Sequence, residues 1–153
     1  MHPLAPTLLT VSCTPQDDQS VVDVGCGTGE LVEAWRAAGV YDSRGMDVSP
    51  AAAAAWPEGL APLFYTIVDA ASPEARQAMP VTNLVTSFEA AQQVPKRDAA
   101  AFVSLLTMFR PRFVVFGAAT PNQARGKNRA HVNENDILFW IRMFKEEVRL
   151  RTL

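Results

Sequence analysis

Three carboxylates, Asp23, Asp47 and Asp69, each stand at the end of a short apolar or β-branched stretch. The first is followed at once by Val-Gly-Cys-Gly-Thr-Gly-Glu. A carboxylate at a strand terminus can accept hydrogen bonds from paired hydroxyls or an exocyclic amine. Glycines at 25, 27 and 29 let backbone amides approach a ligand that a Cβ would hold off. A helical pattern over residues 31–38 completes a strand, tight loop and helix N-terminus. This is the layout with which α/β sheets hold an adenine-containing cofactor at a strand's carboxyl end. A lone strand-end aspartate is more often a helix cap. Three of them ending consecutive strands of one sheet would face one crevice.

The residue after the last glycine of the loop narrows the choice of ligand. Glu30 occupies the position where a dinucleotide fingerprint has its third glycine. Two like charges about 4 Å apart repel by roughly 4 kcal/mol at an effective dielectric near 20, which disfavours a pyrophosphate there. The carboxylate suits the positive helix end by about 0.3–1 kcal/mol. It also tolerates a ligand carrying an ammonium and a sulfonium, as S-adenosylmethionine does. Candidate proton acceptors are Glu89, His131 and Glu134, the last two in Arg-Ala-His-Val-Asn-Glu-Asn over residues 129–135. Histidine is the side chain best tuned to take a proton near pH 7. The structural alternative is that Asn133 caps the last helix, Glu134 favours its dipole and His131 satisfies a loop.

The elements that must position these groups follow from periodicity and punctuation. Strands are predicted at residues 20–24, 43–46, 63–68, 81–87 and 112–116, with a sixth at 148–153. Helices are predicted at 29–38, ending at Gly39, and from Ser49 and Pro50 as N-cap and N1 through the alanine run to Pro57. Others start from Ser72 and Pro73, from Asp98 as cap through Met108, and near 134–146. Strand and helix alternate, which predicts a Rossmann-like, doubly wound, mostly parallel sheet with helices on both faces. Residues 1–19 are expected to form an arm and 20–153 one domain.

The 153 residues suffice for one domain with a real core. Apolar content of 48% and charged content of 20% suit a folded soluble protein. A net charge of −2 gives no global attraction to nucleic acid or anionic membrane. No apolar run has the length to cross a bilayer. Cys13 and Cys26 are too few for a disulfide framework, which predicts a reducing, cytoplasmic setting. In the loop at 121–130, Arg125, Lys127 and Arg129 make a weak basic patch, read as a solvated face rather than a flap for an anionic acceptor. Trp35 and Trp56 read as packing residues, and Trp140 as part of the last helix's apolar face.

With the loop and strand-end acids in place, the chain resembles class I S-adenosylmethionine-dependent methyltransferases, over roughly residues 20–147. Asp23-Val-Gly-Cys-Gly-Thr-Gly is similar to the family's first motif, and Gly45-Met-Asp47-Val-Ser-Pro to the second. Val68-Asp69-Ala70 is similar to the third. Leu84 to Pro95 looks like the segment after strand four in small-molecule members. The resemblance implies that Asp23, Gly25, Cys26, Gly27, Gly29, Asp47, Val48, Asp69, Ala70, Ser87 and Phe88 surround S-adenosylmethionine, with S-adenosylhomocysteine as product. It implies methyl transfer to an oxygen or nitrogen of a small-molecule acceptor. Small-molecule members often carry Glu-x-x-Glu-His after strand four. Here Glu89 is kept while Gln92 and Gln93 replace the acid and histidine, so no metal is expected. The final strand pair of the family is incomplete, so a second copy or another partner is expected to cover the sheet edge. The rival readings are a catalytically silent methyltransferase-like domain and a nucleic-acid methyltransferase. The latter lacks the Asn/Asp-Pro-Pro-aromatic signature that base methylases place where this chain has Ser-Phe-Glu-Ala.

Overall fold

The β-branched run Val21-Val22 and Val24 forms the middle strand of a parallel sheet. The computed structural model describes residues 19–66, 81–123 and 128–151. Its five strands are β1 (Ser20–Val24), β2 (Asp42–Asp47), β3 (Phe64–Thr66), β4 (Leu84–Phe88) and β5 (Phe113–Gly117), in the order β3-β2-β1-β4-β5. Every neighbouring pair is parallel. The chain steps outward from β1 through β2 to β3, then returns to the other side of β1. The β1/β4 boundary is therefore the topological switch point, where open α/β sheets bind ligands beyond the strands' carboxyl ends.

Alternation along the strands assigns the helices to two faces. Val22, Val24, Met46 and Val85 project to one side. There they pack with Leu105, Leu106 and Phe109 of helix α3 (Ala99–Met108) and the turn after it. Helix α4 (Ile137–Arg151) joins this layer through Phe144 and through Trp140, whose ring lies 5.1 Å from that of Phe116 on β5. On the opposite face, Ser43 donates to the carbonyl of Val32 in α1 (Glu30–Ala37). Trp56, just past α2 (Pro50–Ala55), lies against Cys26 and Val32.

Local signals explain the boundaries. Helix α1 ends through Gly39 at φ 94°, whose N–H bonds the carbonyl of Arg36. Ser49 accepts the N–H of Ala52 and Pro50 opens α2. Three expectations need correction. The stretch expected as a strand at 148–153 continues α4 to Arg151: Thr107 on α3 bonds Glu147 in the turn before it, and Val148 and Leu150 stay exposed on the helix. Asp98 stands at the N-cap of α3 but makes no capping bond, since the 3-10 turn Lys96–Asp98 leads straight into the helix. The cap of α4 is Asp136, which accepts the N–H of Phe139, so the helix begins after residue 134 rather than at it. The predicted third strand is described only as far as Thr66. Its end, the helix from Ser72 and the arm to residue 18 lie outside the described residues. Among the described residues no strand follows β5 and no helix is long and apolar enough to cross a membrane.

Leu106 is fully buried between the sheet and α3. Leu106→Ala is expected to cost about 2–5 kcal/mol of stability, read from urea unfolding, because the rigid sheet beneath cannot collapse into the space.

Candidate functional site

The carboxyl ends of β1, β2 and β4 border a cavity of about 650 Å³, lined by Gly25, Gly27, Asp47, Val48, Glu89 and Phe102 among others. The glycine loop forms its floor. Gly25 sits at φ 79°, and a Cβ there would stand 2.4 Å from the Cβ of Ala90, so the loop is pressed against the segment after β4. At Gly27 a Cβ would meet nothing within 4 Å. Its N–H donates to Asp47 Oδ2 at 2.9 Å and its carbonyl accepts from Trp56 Nε1 at 3.0 Å. The other oxygen of Asp47 accepts the N–H of Ser49 at 2.8 Å. A carboxylate has about four acceptor positions, so these two bonds leave two for a ligand.

Trp56 is the packing residue its sequence suggested, and what it packs against is the glycine loop itself. Its ring lies where a Cβ on Gly45 or Gly29 would stand, 2.4 Å and 2.8 Å from the nearest ring atoms. Phe64 of β3 meets the same ring edge-on at 5.0 Å. One indole therefore ties β2, β3 and the glycine loop together. The signal available in the sequence was the glycine at 45, in a strand that otherwise favours a side chain.

Asp23 lies under the loop, 4% exposed, and accepts a 2.7 Å hydrogen bond from Thr86, its register partner on β4. Burial pushes its carboxyl up to about 6, against the lowering effect of the Thr86 bond and with help from the charge of Asp47. Cys26 points away from the cavity into the cluster with Val32 and Trp56. Burial, with the charges of Asp23 and Asp47, raises its thiol to about 12, so it is inert as a nucleophile. Cys26 does not line the cavity, and its N–H is already bonded to the carbonyl of Met46.

Beyond β4 the chain turns through Glu89 at φ 55°, a left-handed conformation that costs a non-glycine residue about 1–3 kcal/mol. Side chains hold it there. Gln93 donates to its carbonyl at 3.0 Å and Gln92 to its carboxylate at 2.8 Å. Gln92 is 1% exposed; its side-chain oxygen accepts the N–H of Ala119, and its carbonyl accepts those of Val132 and Asn133.

Of the three proton-acceptor candidates, the cavity lining includes Glu89 but neither His131 nor Glu134. Those two pair with each other, Nδ1 to Oε1 at 2.8 Å, both largely shielded from solvent. Ser87 is fully buried with its hydroxyl unpartnered, Phe88 lies over Gly117, and neither lines the cavity. Val48 is exposed beside Asp47. Asp69, Ala70, Arg125 and Lys127 lie outside the described residues, while Arg129 is exposed. Among the described residues no three His, Cys, Asp or Glu side chains gather as a metal site would require.

Two outcomes test this geometry. An acid with a raised folded pKa favours folding only while protonated. The contribution of Asp23 is thus complete below about 3.8 and lost as the pH rises through about 6. Urea unfolding from pH 4 to 7 is expected to show wild type losing about 2–3 kcal/mol relative to Asp23→Asn over that interval. Trp56→Phe, which keeps a ring but deletes the donor to Gly27, is expected to cost about 1 kcal/mol by the same measurement.

No family model and no curated protein matches the sequence. Solved structures do match. An S-adenosylmethionine-dependent methyltransferase from Archaeoglobus fulgidus superposes with a TM-score of 0.67 at 17% identity, over 84% of this chain and 60% of that one. A putative methyltransferase from Bacillus halodurans gives 0.65 at 17% identity, over 86% and 63%. An O-methyltransferase family protein from Burkholderia thailandensis gives 0.64 at 12% identity, over 85% and 45%. The chain spans less than two thirds of the length of these neighbours. Parallel strand order, glycine loop and strand-end acids agree with that likeness: the chain has the fold of the class I S-adenosylmethionine-dependent methyltransferases.

Proposed function

We propose that this protein binds S-adenosylmethionine and transfers its methyl group to an oxygen or nitrogen of a small-molecule acceptor. The observation that carries the reading is Asp47. Its carboxylate lies on the cavity, is fixed by the amides of Gly27 and Ser49, and keeps one acceptor position on each oxygen for a pair of ribose hydroxyls. Gly27 leaves open space beside it, and Val48 offers an apolar surface for a base. Glu89 brings a second carboxylate to the same cavity, which favours a ligand with an ammonium and a sulfonium over one with phosphates.

When bound, the cofactor supplies a methyl group already activated on sulfur. The chain's task is to align the reactants in line and keep water out, and positioning of that kind can supply about 7–11 kcal/mol of a barrier. Glu89, locked by Gln92 and Gln93, is the residue we assign to hold an acceptor's proton or ammonium. His131 and Glu134 engage each other instead, and that pairing favours a second reading in which the domain binds the cofactor without transferring its methyl group.

Isothermal titration with S-adenosylhomocysteine tests the binding claim: saturable heat is expected from wild type, and none at high protein concentration would refute it. Asp47→Asn is expected to weaken that binding roughly 10–100-fold, the scale of one or two hydrogen bonds to a charged group. Labelled-methyl transfer to a cell extract separates the two readings, since a silent domain would mark nothing.

A further inference from the structure

The strand β5 reads Phe-Val-Val-Phe-Gly and borders β4 on one side only among the described residues. Protein sheets blunt open edges with lysine, proline or bulges, and this strand has none. One of its faces is open at the edge and the other only half covered by α4. Phe113 is 66% and Val115 45% exposed on the face of α1, with Phe88 half-exposed beside them. On the other face an apolar groove of about 430 Å³ runs between β5 and α4, lined by Val114, Phe116, Trp140, Ile141 and Phe144, with Ile137 on its rim.

We propose that two copies of this chain pair through β5, antiparallel about a two-fold axis at Val115, and so continue the sheet from one copy into the other. The backbone fixes the register. Phe113 donates its N–H to Asn83, and the carbonyl of Gly117 accepts from Glu89, so the odd-numbered residues of β5 turn their polar groups toward β4. Those of Val114 and Phe116 therefore point out of the open edge. In an antiparallel ladder, the residues that exchange both bonds stand directly opposite each other. Centring on Val115 puts Val114 of each copy opposite Phe116 of the other, so both outward-facing residues of each copy are satisfied.

Side chains agree with this register. A two-fold axis normal to the sheet keeps each copy's faces on the same side, so opposed residues share a face. Val114 and Phe116 meet above the groove, and Val115 meets its own copy. The bulky Phe113 stands opposite Gly117, which has no side chain, and beside Phe88, which already overlies that glycine. No charge lies on the strand. The two Arg112 side chains fall at opposite ends, about 20 Å apart, beyond strong repulsion. Covering Phe88, Phe113, Val115, Ile137 and Ile141 in both copies removes on the order of 1,000 Å² of surface, the lower limit for a specific interface.

The test is the mass of the purified full chain in solution, up to roughly 100 µM, with two sets of variants. Wild type is expected at twice 16.7 kDa by light scattering. Val115→Lys sets two like charges face to face on the axis, at a side chain already half in water. It is expected to give monomers with an unchanged circular dichroism spectrum. In a Cys13→Ser background, Val115→Cys is expected to cross-link to its own copy on oxidation, since the opposed Cα atoms fall near 4.5 Å. Phe113→Cys, about 14 Å from its own copy in this register, is expected not to. A monomer throughout, aggregates of no fixed mass, or a dimer indifferent to Val115→Lys would overturn the proposal, as would equal cross-linking at 113 and 115.

Discussion

The backbone N–H and carbonyl of Gly27 are both engaged by side chains, one by Asp47 from the end of β2 and the other by Trp56 from the end of α2. A glycine loop has the most conformational freedom of any segment and loses the most entropy when ordered. Two hydrogen bonds from rigid neighbours, each worth about 1 kcal/mol or more, remove that freedom before a ligand arrives. The strands are bound into this arrangement as well. Parallel register places Gly45 beside Phe64, and only a glycine there leaves room for the indole that reaches the loop. The cavity's floor is therefore set by the packing of β2 and β3, and a ligand meets a surface already shaped.

Electrostatics then selects what that surface can hold. Asp47 and Glu89 line the cavity, while Asp23 is buried just beneath the loop, close enough to Asp47 for its own proton affinity to rise. A further anion would add to this repulsion, and a cation relieves it. The buried thiol of Cys26 responds to burial and to the same field, and is held protonated as a poor nucleophile.

Much of this was legible in residues 20–50. A β-branched run ending in Asp-Val-Gly fixes β1 to the residue, and Ser49-Pro50 fixes the start of α2, because both signals are local. The failures were non-local. Residues 148–151 alternate apolar and charged as a strand would, yet α4, tied to α3 at Glu147, runs on through them with Val148 and Leu150 exposed. Trp56 is the core residue its type suggested, but nothing near it in sequence says that a strand glycine faces it. His131 and Glu134 are three residues apart, and only the course of the loop decides that they bond each other rather than face the cavity.

Gln92 shows how a departure from a family pattern acquires a physical reason. Read against the acid expected at that position, a neutral amide looks like a lost ligand. In the fold it is almost wholly buried, 2.8 Å from the carboxylate of Glu89, and it also accepts the N–H of Ala119. A carboxylate in that place could accept but not donate, and burying one that close to the carboxylate of Glu89 would set two like charges against each other unless one held a proton. An amide offers both a donor and an acceptor with no charge to desolvate. The same residue's carbonyl holds the segment at Val132 and Asn133, so one side chain and its backbone fasten three stretches of chain behind Glu89. The left-handed turn at Glu89 persists because its neighbours over-determine it, and that constraint holds the residue in the cavity's lining.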